Sequence, residues 1–240
     1  MLRHSGTKRT NEHNVKLAAL LGVTAGFVNA AGFLAFAVLT TNVTGHAALF
    51  AERIAFNDWK TARVIALWMF LFLAGAFTSG LIISRIGRNH RFSYVIPIIL
   101  ETGILVGVAI LGYRYDRSLV SKEIFAGSLL FAMGLQNSLV SMVSGSVVRT
   151  THLTGTFTDL GIELAQLVQK EKERSKVLAG KVKLRLTIIG FFMIGAMSGA
   201  YLFRMMSFPA FFIPSFILIF TLLYDILRLR VQRYFRHIRH

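Results

Sequence analysis

The chain has 240 residues, of which 54% are hydrophobic and 21 are Phe, and its mean hydropathy is +0.59. Only 16% is charged, against about 25% in a soluble domain. There is no cysteine, which excludes disulfides, thiolate metal ligands and cysteine nucleophiles. The formal charge of +16 would suit a nucleic-acid binder, but Lys and Arg fall between long apolar runs. A polytopic membrane protein facing anionic lipid accounts for that pattern better, so lipid and not nucleic acid is the expected partner.

Six apolar runs follow one another: 17–39, 64–83, 94–113, 124–148, 186–203 and 208–224. A hydrocarbon core of about 30 Å needs about 20 helical residues, so each run is expected to span the membrane. The last two are short, and Arg185, Arg204 and Arg228 at their flanks extend them by reaching the interface. The longest connection, 149–185, has 37 residues, too few to fold unaided as a soluble domain. One membrane domain over residues 1–240 is expected. The first run has a basic flank (Arg3, Lys8, Arg9, Lys16), yet it is longer than a signal-peptide core of roughly 7–15 residues and is retained as a span. With the N-terminus inside, the inner segments carry 20 Lys and Arg and the outer segments 7, which places both termini in the cytoplasm. The basic tail 225–240 is expected to lie as a helix end at anionic headgroups.

In chain order the runs carry few polar residues. The first holds Gly22, Gly26 and Asn29, and is followed by Thr41, Thr44 and Gly45. The third holds Pro97, Glu101, Gly103 and Gly107, and the fourth Gly134, Gln136 and Asn137. Thr151, Thr154 and Gly155 then open a helical pattern in which Phe157, Leu160, Leu164 and Leu167 share one face and Asp159, Glu163, Gln166 and Lys170 the other. The last two runs hold Gly195, Gly199, Pro209 and Pro214.

The chain reads twice. Ala25-Gly26-Phe27-Val28-Asn29 resembles Met133-Gly134-Leu135-Gln136-Asn137, and Thr40-Thr41-Asn42-Val43-Thr44-Gly45 resembles Thr150-Thr151-His152-Leu153-Thr154-Gly155, at offsets of 108 and 110. Gly75-Ala76 returns as Gly195-Ala196, and Ile96-Pro97 as Ile213-Pro214, at 120 and 117. The order is kept, and the drift is what loop insertions such as 170–183 produce. The halves, 17–113 and 124–227, carry three spans each, so the second enters the membrane from the opposite side. The expected fold class is all-α, a polytopic membrane protein of six transmembrane helices arranged as two inverted three-helix repeats.

Glu101 is the one acid well inside a span. Ionised, it costs at least about 2.5 kcal/mol there. It is either a coupling or counter-ion site or a neutral carboxyl bonded to a neighbouring helix. Asn29, Gln136 and Asn137 are inter-helix hydrogen-bonding groups or the polar lining of a cavity at the repeat axis. The Thr–Gly motifs are ordinary caps, or two helix N-termini turned towards the midplane with N–H groups free for an anion. The glycine pairs 22/26, 103/107 and 195/199 suggest close helix packing. The prolines are expected to kink or break their spans. His46, His152 and Asp159 lack zinc spacing, so no metal is expected. No phosphate loop, dinucleotide fingerprint or Ser/His/Asp order occurs, so neither cofactor nor enzymatic activity is expected.

The glycine-and-asparagine first span, the Thr-x-x-Thr-Gly after it, Met133-Gly134 with Gln136-Asn137, and the segment 149–159 together resemble the YoaK family. These are bacterial six-span membrane proteins classed as a domain of unknown function. The resemblance covers about residues 16–228, and segment 149–159 is its most specific part. Family members often carry Asp where this chain has Asn29. The resemblance implies a bacterial inner-membrane location and brings no activity or catalytic residue. With the repeat, it points to a secondary transporter or exporter of a small solute. A non-transporting scaffold or partner subunit is the alternative. A continuous polar cavity would favour the first, and a dry, solid bundle the second. The sequence fixes no oligomeric state.

Overall fold

The structure is a computed structural model, and it describes residues 11–87, 92–169 and 175–237. Among the described residues eight α-helices succeed one another: α1 (Asn11–Phe36), α2 (Val43–Ala55), α3 (Trp59–Ile86), α4 (Phe92–Leu111), α5 (Leu119–Ser144), α6 (Leu153–Val168), α7 (Ser175–Met206) and α8 (Phe212–His237). Among the described residues there is no strand. Five helices, α1, α3, α4, α5 and α7, are long and apolar enough to cross a membrane, and the apolar stretch Phe208–Tyr224 is shorter. This is the character of a multi-pass helical membrane protein. The basic residues Arg3, Lys8, Arg9, Arg88, Arg91, Lys170, Lys172 and Arg174, which entered the orientation count, lie outside the described residues, as do residues 238–240 of the tail.

Helix ends depart from the apolar runs where the backbone, not hydropathy, decides them. The runs 17–39 and 124–148 overshoot, because α1 stops at Phe36 before Ala37 at φ 53°, and α5 stops at Ser144 before Gly145 at φ 63°. Val38, Leu39, Val147 and Val148 are apolar but lie in the turns. In the other direction, α3 begins five residues before its run, because the Asp58 carboxylate accepts from Thr61 N at 3.1 Å and caps it. Those hydrogen bonds from Thr61 hold the Asp58 carboxyl below its usual range. The last run opens as a 3-10 turn, Phe208–Phe211, with Pro209 near its start. Pro214 lies in the first turn of α8, where no helical N–H is missed, and Pro97 lies within α4.

The dominant contacts cross between the two halves of the chain. α1 lies along α7, and α3 lies along α5. Glycine sets both approaches. A Cβ on Gly26 would overlap the Phe192 carbonyl on α7, and one on Gly195 would overlap the Val23 carbonyl on α1. A Cβ on Gly134 would overlap the Phe72 carbonyl on α3, and one on Gly75 would overlap the Phe131 carbonyl on α5. Backbone therefore meets backbone in both pairs. Gly199 joins the first pair against Phe27, and Gly22 makes ordinary van der Waals contact with α7. Gly103 and Gly107 differ from expectation: nothing lies within 4 Å of an added Cβ at either, so this face packs on no described helix.

α1 and α5 are central, each burying 61% of its most apolar window, and α3 and α7 are peripheral at 22% each. α2 packs on α3 and α6 on α7, while α4 packs on α5 and α8, and α8 also on α1. α6 is turned opposite to a water-soluble helix. Glu163 is buried and Asp159 faces α7, whereas Phe157, Ile162, Leu164 and Val168 are exposed. An apolar outward face is what lipid, not water, accommodates.

Candidate functional site

Both central helices end in a break that folds back on them. After α1, Thr41 N and Oγ1 donate to Asn29 Oδ1 at 3.1 and 3.0 Å. After α5, Thr151 Oγ1 donates to Asn137 Oδ1 at 2.8 Å. Each Asn precedes the end of its helix by seven residues (29 against 36, 137 against 144), about 10 Å along the axis. The breaks thus lie along the flanks of α1 and α5, not beyond their tips. Thr40 and Thr150, one residue earlier, are fully buried.

The Thr–Gly motifs do not cap as expected. The cap of α2 is Asn42, whose Oδ1 accepts from Gly45 N at 2.9 Å, and the cap position of α6 is His152, which makes no side-chain cap bond. Thr41 and Thr151 are engaged by the asparagines instead, while Thr44 and Thr154 are exposed in the first turns. Gly45 lies against the Asn42 amide, and Gly155 against the His152 ring. In each case a Cβ would collide with the side chain at the cap.

Between the breaks, Gln136 joins the central helices. Its Nε2 donates to Leu21 O on α1 at 2.8 Å and to Thr150 Oγ1 at 3.4 Å. Its Oε1 has no hydrogen-bond partner among the described residues. Glu101 lies on the buried stripe of α4 with Ile98, Leu105 and Val108, is 0% exposed, and neither of its oxygens has a partner among the described residues. The structure thus brings Asn29 to Thr41, Asn137 to Thr151 and Gln136 to Thr150, while Glu101 bonds to none of them.

Asp159 belongs to a cluster with Glu163, its neighbour on the polar face read from sequence, and Arg185, expected only as a flanking cation. Arg185 of α7 lies 3.2 Å from Asp159 and 3.4 Å from Glu163 of α6, and its Nη1 donates to Val147 O at 3.3 Å. The guanidinium ties α6, α7 and the break after α5 together. The polar face of α6 and the basic start of the fifth run were the available signals, but no pattern says that the two meet.

The opposite end of the bundle is different. His46 is buried, with Nε2 2.8 Å from Leu39 O, so that nitrogen carries the proton and Nδ1 faces no described partner. Its ring meets Trp68 edge-on at 5.8 Å, and the Lys122 ammonium lies 5.5 Å over the Trp68 ring. Beside them Phe36, Tyr115, Phe125, Phe203, Phe208 and Phe211 form one aromatic cluster, with centroids 4.9–6.4 Å apart between neighbours. Sequence reasoning missed this cluster, because its rings come from four separate helix ends. Among the described residues no three His, Asp or Glu side chains are grouped as metal ligands would be.

No curated protein and no solved structure matches the chain. A family model does, over residues 17–224, which include both breaks, α5, most of α1 and Glu101. The chain belongs to the family described as "Protein of unknown function (DUF1275)".

Proposed function

We propose that this chain is a secondary transporter of a small solute, with α8 as a sixth span and no enzymatic chemistry. In this proposal it lies in a bacterial inner membrane, as the YoaK resemblance implies, with both termini cytoplasmic as the 20-to-7 distribution of Lys and Arg favours. Its halves, 17–113 and 124–227, are inverted repeats. Several observations support this. Each half runs as a long helix, a break, a short helix and two long helices. The α1–α7 contact between the halves has its counterpart in α5–α3, glycine for glycine.

The observation that carries the reading is the pair of breaks. Each is held by a Thr to an Asn at the same depth from the end of a central helix. Such bonds within a membrane are worth about 0.6 kcal/mol each, so either can open at little cost. The glycine contacts are far more extensive, so α1–α7 and α3–α5 move as two stiff pairs. Rocking one pair against the other about the α1/α5 contact opens one break while the other stays shut, which is alternating access. The solute contacts Gln136 and the break residues Thr41, Thr44, Gly45, Thr151, Thr154 and Gly155. Glu101 supplies a proton-coupling group on α4. Asp159, with Arg185, ties down one break.

The absence of cysteine gives a direct test. Thr44→Cys and Thr154→Cys are exposed single reporters. In sealed vesicles a membrane-impermeant maleimide is expected to reach the first from outside and the second from inside. A solute found by thermal stabilisation, or a proton gradient, should raise labelling of one and lower that of the other. Labelling that changes in parallel, or that responds to neither, would leave the scaffold reading in its place.

A further inference from the structure

A groove of about 470 Å³ runs between α6 and α7, away from the α1/α5 contact. Leu167 of α6 forms one wall, and Lys183, Leu186, Thr187, Gly190 and Ile194 of α7 form the rest of it. It is graded along its length. The ammonium of Lys183 lies towards one end and has no ion-pair partner among the described residues, and the lining is apolar from Leu186 to Ile194 apart from the Thr187 hydroxyl. That hydroxyl is already donated to Lys183 O at 2.8 Å. Arg185 is already paired with Asp159 and Glu163, so the free positive charge at this end of α7 is that of Lys183 and Lys181.

We infer that this groove is a binding site for one anionic phospholipid, with the phosphate at Lys183 and an acyl chain along Leu186 to Ile194. The dimensions select such an occupant. From Ala179 to Ile194 is fifteen helical steps of α7, about 22 Å. One leaflet's hydrocarbon is about 15 Å deep, so the groove holds a chain and its headgroup. Basic pockets between membrane helices hold anionic headgroups by this same chemistry.

Gly190 is the floor of the groove. Nothing lies within 4 Å of a Cβ built there, although it is in the interior of a 32-residue helix. The residue 120 positions earlier, at the offset that relates Gly75 to Gly195, is Phe70 on the lipid-exposed side of α3. The space is therefore a feature of α7 alone, and glycine is what keeps it open.

The test uses full-length protein stripped of lipid in detergent, with dioleoyl phosphatidylglycerol, dioleoyl phosphatidylcholine or inorganic phosphate added. Binding is read by native mass spectrometry and by melting temperature. Wild type is expected to retain one phosphatidylglycerol in preference to phosphatidylcholine, and to be stabilised by it. Lys183→Gln should weaken phosphatidylglycerol about fivefold, the factor equivalent to about 1 kcal/mol per surface lysine, and remove the preference. Gly190→Leu should lose the retained lipid while melting no lower than wild type without lipid, which separates a filled groove from a damaged fold. Lys60→Gln should bind as wild type. Equal retention of both lipids, stabilisation by inorganic phosphate alone, undiminished binding by Gly190→Leu, or a dimer as the only species protected would each overturn the site.

Discussion

At Asn29 the side-chain oxygen accepts two hydrogen bonds from Thr41. A carboxylate offers the same acceptor in the same shape, so Asn29→Asp should fold and melt close to wild type. Asn29→Leu leaves the half-buried Thr41 N–H without its partner and should cost about 1–3 kcal/mol. Asn137 accepts one bond, so Asn137→Leu should cost less. Thermal unfolding in detergent gives this order, and equal losses would contradict it. Glu101 poses the reverse case. Neither oxygen has a described partner, so removing the carboxyl orphans nothing. Glu101→Leu should melt at or above wild type, and Glu101→Gln should fold but lose any proton-coupled flux. A large destabilisation by Leu would reveal a bonded carboxyl. His46 gives a pH dependence. Burial disfavours its imidazolium more than the Leu39 carbonyl favours it, and so lowers its pKa from 6.5. The unfolded chain therefore takes up the proton first, so the stability associated with neutral His46 is complete above about pH 6.5 and declines as pH falls towards the folded value. Melting temperatures between pH 8 and 5 should show this decline, and His46→Gln, which can still donate to Leu39 O, should flatten it.

At the scale of helices, apolar length was legible and packing was not. Each run longer than about 18 residues became a helix, because membrane spans must satisfy their backbone internally. The ends were less legible, since α3 continues into polar sequence where the Asp58 cap decides and hydropathy is silent. The glycines show the same limit. A small-residue spacing says that a close approach is available, and it does not say that a partner takes it. Gly26 and Gly134 face carbonyls at overlap distance, while Gly103 shows the same kind of spacing and faces nothing. Gly26→Ala and Gly134→Ala should therefore each destabilise by about 1–3 kcal/mol, as overpacking does. Gly103→Ala should be neutral or stabilise by up to about 1 kcal/mol, because alanine is the better helix former. Comparable losses at all three positions would place an unseen partner on α4. The orientation of α6 was also hidden. Periodicity found its two faces, but a soluble protein would put Glu163 outward, and Arg185 on a distant part of the chain is what pairs with it and with the half-exposed Asp159.

For the whole molecule, the sequence repeat was visible because four short matches recur in order, yet it concealed how the halves interlock. One would expect each half to pack on itself. The strongest contacts instead exchange partners, α1 with α7 and α3 with α5. The site is assembled by this exchange: Gln136 of the second half donates to Leu21 O of the first. The ends of the bundle also differ, one closed by six aromatic rings and the other tied by Arg185, Asp159 and Glu163. Interlocking has a consequence for folding. A first half made alone would expose the Gly26 face of α1 and the Gly75 face of α3 to lipid with no partner backbone, and the second half would expose Gly134 and Gly195 likewise. Neither piece can close its own core, because α1 and α3 are not each other's principal neighbours. A chain divided between Tyr115 and Leu119, at the exposed connection before α5, should yield two pieces that are degraded or aggregate when expressed singly. Expressed together they should co-purify as a one-to-one complex with a melting transition near that of the intact chain. Gly26→Ala in the first piece should weaken that complex far more than Gly103→Ala. A first half that is stable and monodisperse by itself would mean that its three long helices pack among themselves, and the exchange of partners between halves would have to be abandoned.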